Sequence, residues 1–145
     1  PLWDGCVSSN DDKILNYLEK TKTAHLSWSS QGRGYFLSNE KVQEIENQIT
    51  KNETWRKPGE HSSGPLSCFD SKDNRERKKR TILLAKKFNT TNQNIAGAWP
   101  INLNFPSFAL IGPRNIQEIN SCLNNLEIKL SINEINWLNL NEKKI

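Results

Sequence analysis

The segment His25–Phe36, HLSWSSQGRGYF, begins like a strand and ends in a glycine-flanked arginine. The rough alternation of AHLSW over residues 24–28 predicts a short strand. Ser29-Ser30-Gln31-Gly32-Arg33-Gly34 then predicts a loop, with the glycines supplying backbone freedom. Such a loop can cradle a phosphate, and it can equally be an ordinary strand end. On pattern alone both readings stay open.

Working outward, DDKILNYLEKTK at 11–22 has helical spacing. Ile14, Leu15 and Leu18 share one face, and Asp11 and Asp12 suit the first turn. A helix followed by a strand is the grammar of an α/β protein. Beyond the loop, Val42, Ile45 and Ile49 predict another helix. Residues 51–71 are rich in Pro, Gly and Ser and predict a loop of about twenty residues, long for a compact domain. Helices are expected over 73–88 and 91–99, with Pro100 ending or kinking the second.

Residues 107–111, SFALI, predict a buried strand that runs into Gly112-Pro113-Arg114-Asn115. Asn115 and Glu118 have capping-box spacing, and Ile116, Ile119, Leu123 and Leu126 fall at helical intervals. Ser131 and Glu134 form a second box ahead of Ile135 and Leu138. The expected class is α/β, mostly helical by residue count, in one domain over 1–145. Only two strands are expected, and two parallel strands do not make a stable sheet alone.

Both strands thus end in similar chemistry. In parallel α/β folds, ligands sit at the carboxyl ends of strands. A helix N-terminus offers unpaired N–H groups, and an arginine beside it adds a planar fork for phosphate. Together the two loops would suit an elongated phosphorylated ligand.

The bulk numbers set limits. Apolar content is 34% and mean hydropathy is −0.75, so the core is expected to be thin. Asparagine occurs 19 times and predicts many turns and caps. Net charge is +4, and the excess is local: residues 72–87 hold eight Lys/Arg against two acids. Arg75, Arg77, Lys78, Lys79 and Arg80 keep a nucleic-acid reading in view, although the interspersed Asp73 and Glu76 fit a solvated helix face. Cys6, Cys68 and Cys122 form no CxxC pair and read as free thiols in a reducing, cytoplasmic setting. The sequons at Asn52 and Asn89 read as chance matches. No metal site and no membrane span are expected. The chain starts PLWDG and contains no Met, and it is expected to be a piece or processed product of a longer protein.

SWSSQGRGYF and the run LAKKFNTTNQNIAGAW…FPSFALIGPRNIQEINSCLNNLEIKLSINEINWLNL resemble the carboxy-terminal part of an aldo-keto reductase. That family's seventh strand reads Tyr-Ser-Pro-Leu-Gly-Arg-Gly. Its eighth reads Ile-Ile-Gly-Ala-Arg, followed by a helix and a Leu-Thr/Ser-x-x-Glu cap. The match is dense over 81–140, moderate over 1–36 and poor over 37–71.

The resemblance implies the end of a (β/α)₈ TIM-type barrel, about strands seven and eight with their helices, that binds NADP(H) and reduces aldehydes or ketones. It implies Trp28 as a nicotinamide shelf and Ser29, Gln31 and Gly32 as the pyrophosphate loop. Ile111, Gly112 and Arg114 would form the turn for the adenosine 2′-phosphate. Glu118 and Cys122 would lie near the adenine, where the family often holds Gln or Arg, and Asn. An acid there opposes a phosphate, and a thiol lacks the paired hydrogen bonds of an amide.

No catalytic residue is assigned, because the family's Asp, Tyr, Lys and His precede the matched region. His25 and His61 are not substitutes. A non-catalytic nucleotide-binding scaffold of the same fold is the alternative. The substrate and the oligomeric state stay undetermined.

Overall fold

The structure is a computed structural model, and it describes residues 2–3, 11–51 and 64–145. Most of residues 1–10 and of the expected 51–71 loop lie outside the described residues, as do Cys6, Asn52 and His61.

Among the described residues, seven α-helices and two strands follow in order: α1 Asp12–Thr21, β1 His25–Ser27, α2 Asn39–Lys51, α3 Pro65–Phe69 and α4 Lys72–Lys87. Then come α5 Asn92–Ile101, β2 Ser107–Ala109, α6 Ile116–Leu123 and α7 Ile132–Leu138. Short 3₁₀ turns occupy Gly32–Gly34 and Asn124–Glu127. The described chain is α/β and mostly helical. Within the 51–71 segment, α3 is a helix where a loop was expected. Pro65 sits at its first position, where a missing N–H costs nothing.

The helix starts are written in side chains. Asp11 accepts from the Lys13 and Ile14 N–H groups, Ser71 from Asn74, and Thr91 from Asn94. Ser131 and Glu134 form the complete reciprocal box at α7. Asn115 accepts from the Glu118 N–H, but the Glu118 carboxylate turns to Arg114 instead of closing a box. Pro100 is fully buried and lies inside α5, which ends one residue later with Asn102 as its cap.

The two strands pair in parallel, with Leu26 opposite Phe108 and Ser27 opposite Ala109. Helices α2 to α5 fill the crossover between them. His25 and Ser27 point inward, and α5 lies against β2. The core contains Trp99, Tyr35, Phe36, Ile95, Leu138 and Trp137, with α4, α5 and α7 packed around it.

The expectation of a buried β2 is not met. Phe108 is 54% exposed, Leu110 and Ile111 are also exposed, and so are Leu26 and Trp28 across the pair. The physical reason is the layer count: the described chain covers one face of the strand pair and leaves the other to solvent. α6 shows the same effect. Ile116, Ile119 and Leu123 keep their helical period while Leu126, expected to continue it, falls in the 3₁₀ turn after α6, and all four are exposed.

Candidate functional site: a cleft between the strand-end loops

The turn after β1 is set by backbone conformation. Ser29, Gly32, Arg33 and Gly34 all have positive φ, between 51° and 94°. A Cβ at Gly34 would lie 2.9 Å from the Ile45 side chain of α2. Glycine is therefore required there both for its φ and for the close approach of α2. The turn is closed by Gly32 N–H to the Ser29 carbonyl (2.8 Å) and Tyr35 N–H to the Gly32 carbonyl (2.8 Å). Indole Nε1 of Trp3 also donates to the Ser29 carbonyl at 2.8 Å. Ser30 is buried, and its hydroxyl donates to the Ser27 carbonyl at 2.8 Å. Ser30 therefore fixes the loop onto β1.

The turn after β2 lies beside it because the strands are parallel neighbours. The Leu110 N–H reaches back to the Ser27 carbonyl at 2.9 Å. Between the two turns opens a cleft of about 740 Å³, within the usual range for a small-molecule site. Ser29, Gln31, Ile111, Gly112, Arg114, Glu118 and Cys122 all line it.

Trp28 and Gly32 do not line it. Gly32 is buried and serves the turn. Trp28 is exposed, and the Arg33 guanidinium carbon lies 5.7 Å from its ring centroid.

Each lining residue has a definable condition. Gln31 ties three elements together: its Oε1 accepts from Gln93 Nε2 at 3.2 Å and from the Cys122 thiol at 3.6 Å. Burial pushes the Cys122 thiol above its ordinary range, so it stays protonated at neutral pH. A Cβ at Gly112 would meet nothing within 4 Å, so its backbone lies open to close approach.

Arg114 is held by its own helix. Its Nη2 lies 2.8 Å from Glu118 Oε1, and its backbone N–H donates to Glu118 Oε2 at 2.7 Å. The guanidinium hydrogen bond holds Glu118 below the usual carboxylate range, and the Arg114 N–H adds to it.

Sequence reasoning missed the third wall. Lys41, Glu44, Ile45 and Gln48 of α2 line the cleft, with Thr91 and Gln93 at the start of α5. The signal was present: positions 41, 44, 45 and 48 share one helical face directly after the glycine turn. The charged lining comprises three cations, Arg33, Lys41 and Arg114, against two acids, Glu44 and Glu118. The local charge therefore favours an anion only slightly.

The basic run of α4 is largely turned to internal use. Arg75 pairs with Asp70 at 2.6 Å. Arg80 bonds Glu76 at 3.0 Å and the Glu142 carbonyl at 2.7 Å. Arg77 is buried, and Lys78 lies 5.2 Å from the Tyr35 ring centroid. Among the described residues, no helix is long and apolar enough to cross a membrane, and no group of three His, Cys, Asp or Glu side chains could hold a metal ion. No family model matches the chain, and no curated protein matches it either.

Proposed function

We propose that this chain is the nucleotide-holding part of an NADP(H)-dependent aldo-keto reductase, with the dinucleotide lying in the cleft between the two strand-end loops. On this reading the chain is the end of a (β/α)₈ barrel, and its full form reduces an aldehyde or ketone. One observation carries the reading: two turns about 80 residues apart in sequence open onto one cleft at the carboxyl ends of adjacent parallel strands.

The residues present suit such a group. Gly112 leaves backbone exposed for a pyrophosphate or ribose, and the Ser29 hydroxyl stands at the opposite wall. Arg114 supplies a cation at the start of α6, where helix N–H groups also favour an anion. The nicotinamide supplies the hydride when the cofactor is bound. Trp28, beside the mouth of the loop, offers an aromatic surface to a flat ring.

The nucleic-acid reading loses ground because Arg75 and Arg80 already pair with carboxylates and carbonyls of the chain itself. The deciding experiment is a fluorescence titration of the purified chain with NADPH, with Arg114→Ala as the control. Saturable binding of NADPH supports the reading, and the Arg114→Ala control reports how much the guanidinium contributes. Absence of saturable binding contradicts it. The chain alone is expected to reduce no carbonyl, and clear NADPH-dependent turnover would contradict that part of the proposal.

A further inference from the structure

Arg114 and Glu118 meet at three points. Glu118 Oε2 accepts the Arg114 backbone N–H at 2.7 Å, while Oε1 accepts from Nη2 at 2.8 Å and from Nε at 3.1 Å. The Nε–Nη2 edge is the edge with which a guanidinium grips a phosphate or carboxylate bidentately. In this chain one carboxylate already occupies it. Both side chains line the cleft, and they are 73% and 34% exposed, so an incoming anion can reach the pair.

A ribose 2′-phosphate carries between about −1.5 and −2 charges at neutral pH. To use the Arg114 fork it must displace Glu118 and then remain beside that displaced charge. A ribose with free hydroxyls meets no such conflict, because a carboxylate accepts hydrogen bonds from hydroxyl groups. We propose that Glu118 sets the nucleotide preference of this cleft: it withholds the Arg114 fork from a 2′-phosphate and brings NADP(H) and NAD(H) to similar affinities. This rests on the dinucleotide reading above and adds the residue that determines specificity within it. Glu118 is also held ionised by the Arg114 hydrogen bonds, so its opposition to a phosphate persists across the neutral range.

The test is a set of titrations with NADPH and with NADH on the whole chain. The variants are wild type, Glu118→Gln, Arg114→Ala and the double substitution. Glutamine keeps the length of the side chain and an acceptor for the Arg114 N–H. Equal thermal midpoints for wild type and Glu118→Gln check that the fold is kept.

The expected result is a wild-type preference between NADPH and NADH within about tenfold. Glu118→Gln should tighten NADPH by about tenfold, or about 1.4 kcal/mol, and move NADH by less than about twofold. In the Arg114→Ala background that gain should vanish. The proposal is overturned by a wild-type preference for NADPH above about tenfold, by no gain in Glu118→Gln, or by a gain that survives without Arg114. Those results leave the dinucleotide reading standing. Failure of both nucleotides to bind every variant overturns that reading, and this inference with it.

Discussion

Glu134 is 3% exposed, and its Oε1 lies 2.7 Å from Nζ of Lys87, joining α7 to α4. Its other oxygen accepts from the Ser131 N–H at 2.7 Å and the Ser131 hydroxyl at 2.9 Å. The carboxylate is thus both half of a capping box and half of an ion pair. Burial alone would raise its pKa, but the hydrogen bonds from Lys87 and Ser131 outweigh that and hold it below the ordinary range.

Glu134→Ala is therefore expected to cost about 2–3 kcal/mol in urea unfolding at neutral pH. Lys87→Ala is expected to cost less, about 1 kcal/mol, because its ammonium is exposed and the Ser131 donors remain. The opposite order of the two variants would contradict this account. Since the folded pKa is depressed, the stabilisation is present above the ordinary carboxylate value near 4.5. It fades as pH falls through the lower folded value.

His25 adds a second pH dependence of the same sign on β1. It is 9% exposed, its Nδ1 lies 2.8 Å from the Ser107 hydroxyl, and burial lowers its pKa to about 4. Between about 6.5 and 4 the unfolded chain binds a proton that the folded chain refuses, so stability falls as pH falls through that window. Going from pH 7 to 5, wild type is expected to lose up to about 2 kcal/mol more than His25→Asn. Urea midpoints of both proteins at the two pH values measure it. Equal losses would mean that His25 is protonated in the folded state.

The helix periods and caps were legible because they are local: Ser131 with Glu134, or Ile14 with Leu18, need nothing outside one turn. The nearness of the two strand-end loops was legible from strand-and-turn order. Burial was not. Phe108 and Leu123 have the same composition signal whether or not another layer covers them, and here none among the described residues does. The asparagines misled in the other direction. Their number predicts turns, yet Asn74, Asn94, Asn125 and Asn139 are buried, and three of them hold other groups by hydrogen bonds. The α2 wall of the cleft depends on the tight approach at Gly34, which is a long-range packing fact. The pairing of Arg114 with Glu118 was readable as an i, i+4 spacing, but its competition with a ligand needs the cleft to be seen.

Asn102, the cap of α5, shows how much one asparagine side chain can hold together. Its Nδ2 donates to the Ala98 carbonyl at 2.8 Å and to the Ile128 carbonyl at 2.9 Å. Its Oδ1 accepts from the Leu130 N–H at 3.1 Å. One side chain therefore ties the end of α5 to the 128–130 segment that leads into α7. Asn102→Ala leaves these backbone groups without that partner and is expected to cost about 2–3 kcal/mol. Asn102→Asp can still accept but cannot donate to two carbonyls, so it is expected to be at least as damaging. Thermal unfolding of both variants is the check, and an Asp variant as stable as wild type would refute the donor assignment.

The two sides of the strand pair make the sharpest contrast in stability. Trp99 is fully buried, and its Nε1 donates to Asn139 Oδ1 at 2.9 Å, so Trp99→Ala removes both packing and a buried hydrogen bond. That substitution is expected to cost about 3–5 kcal/mol and to unfold the chain at moderate temperature. Phe108 is as aromatic and as apolar, yet 54% of it faces solvent next to Leu26, its register partner. Phe108→Ala is expected to cost under about 1 kcal/mol, because little of its surface leaves water on folding. Circular dichroism melts of the two variants decide the matter. A large loss for Phe108→Ala would show that its face is covered in solution, and the one-sided strand pair described here would then be wrong.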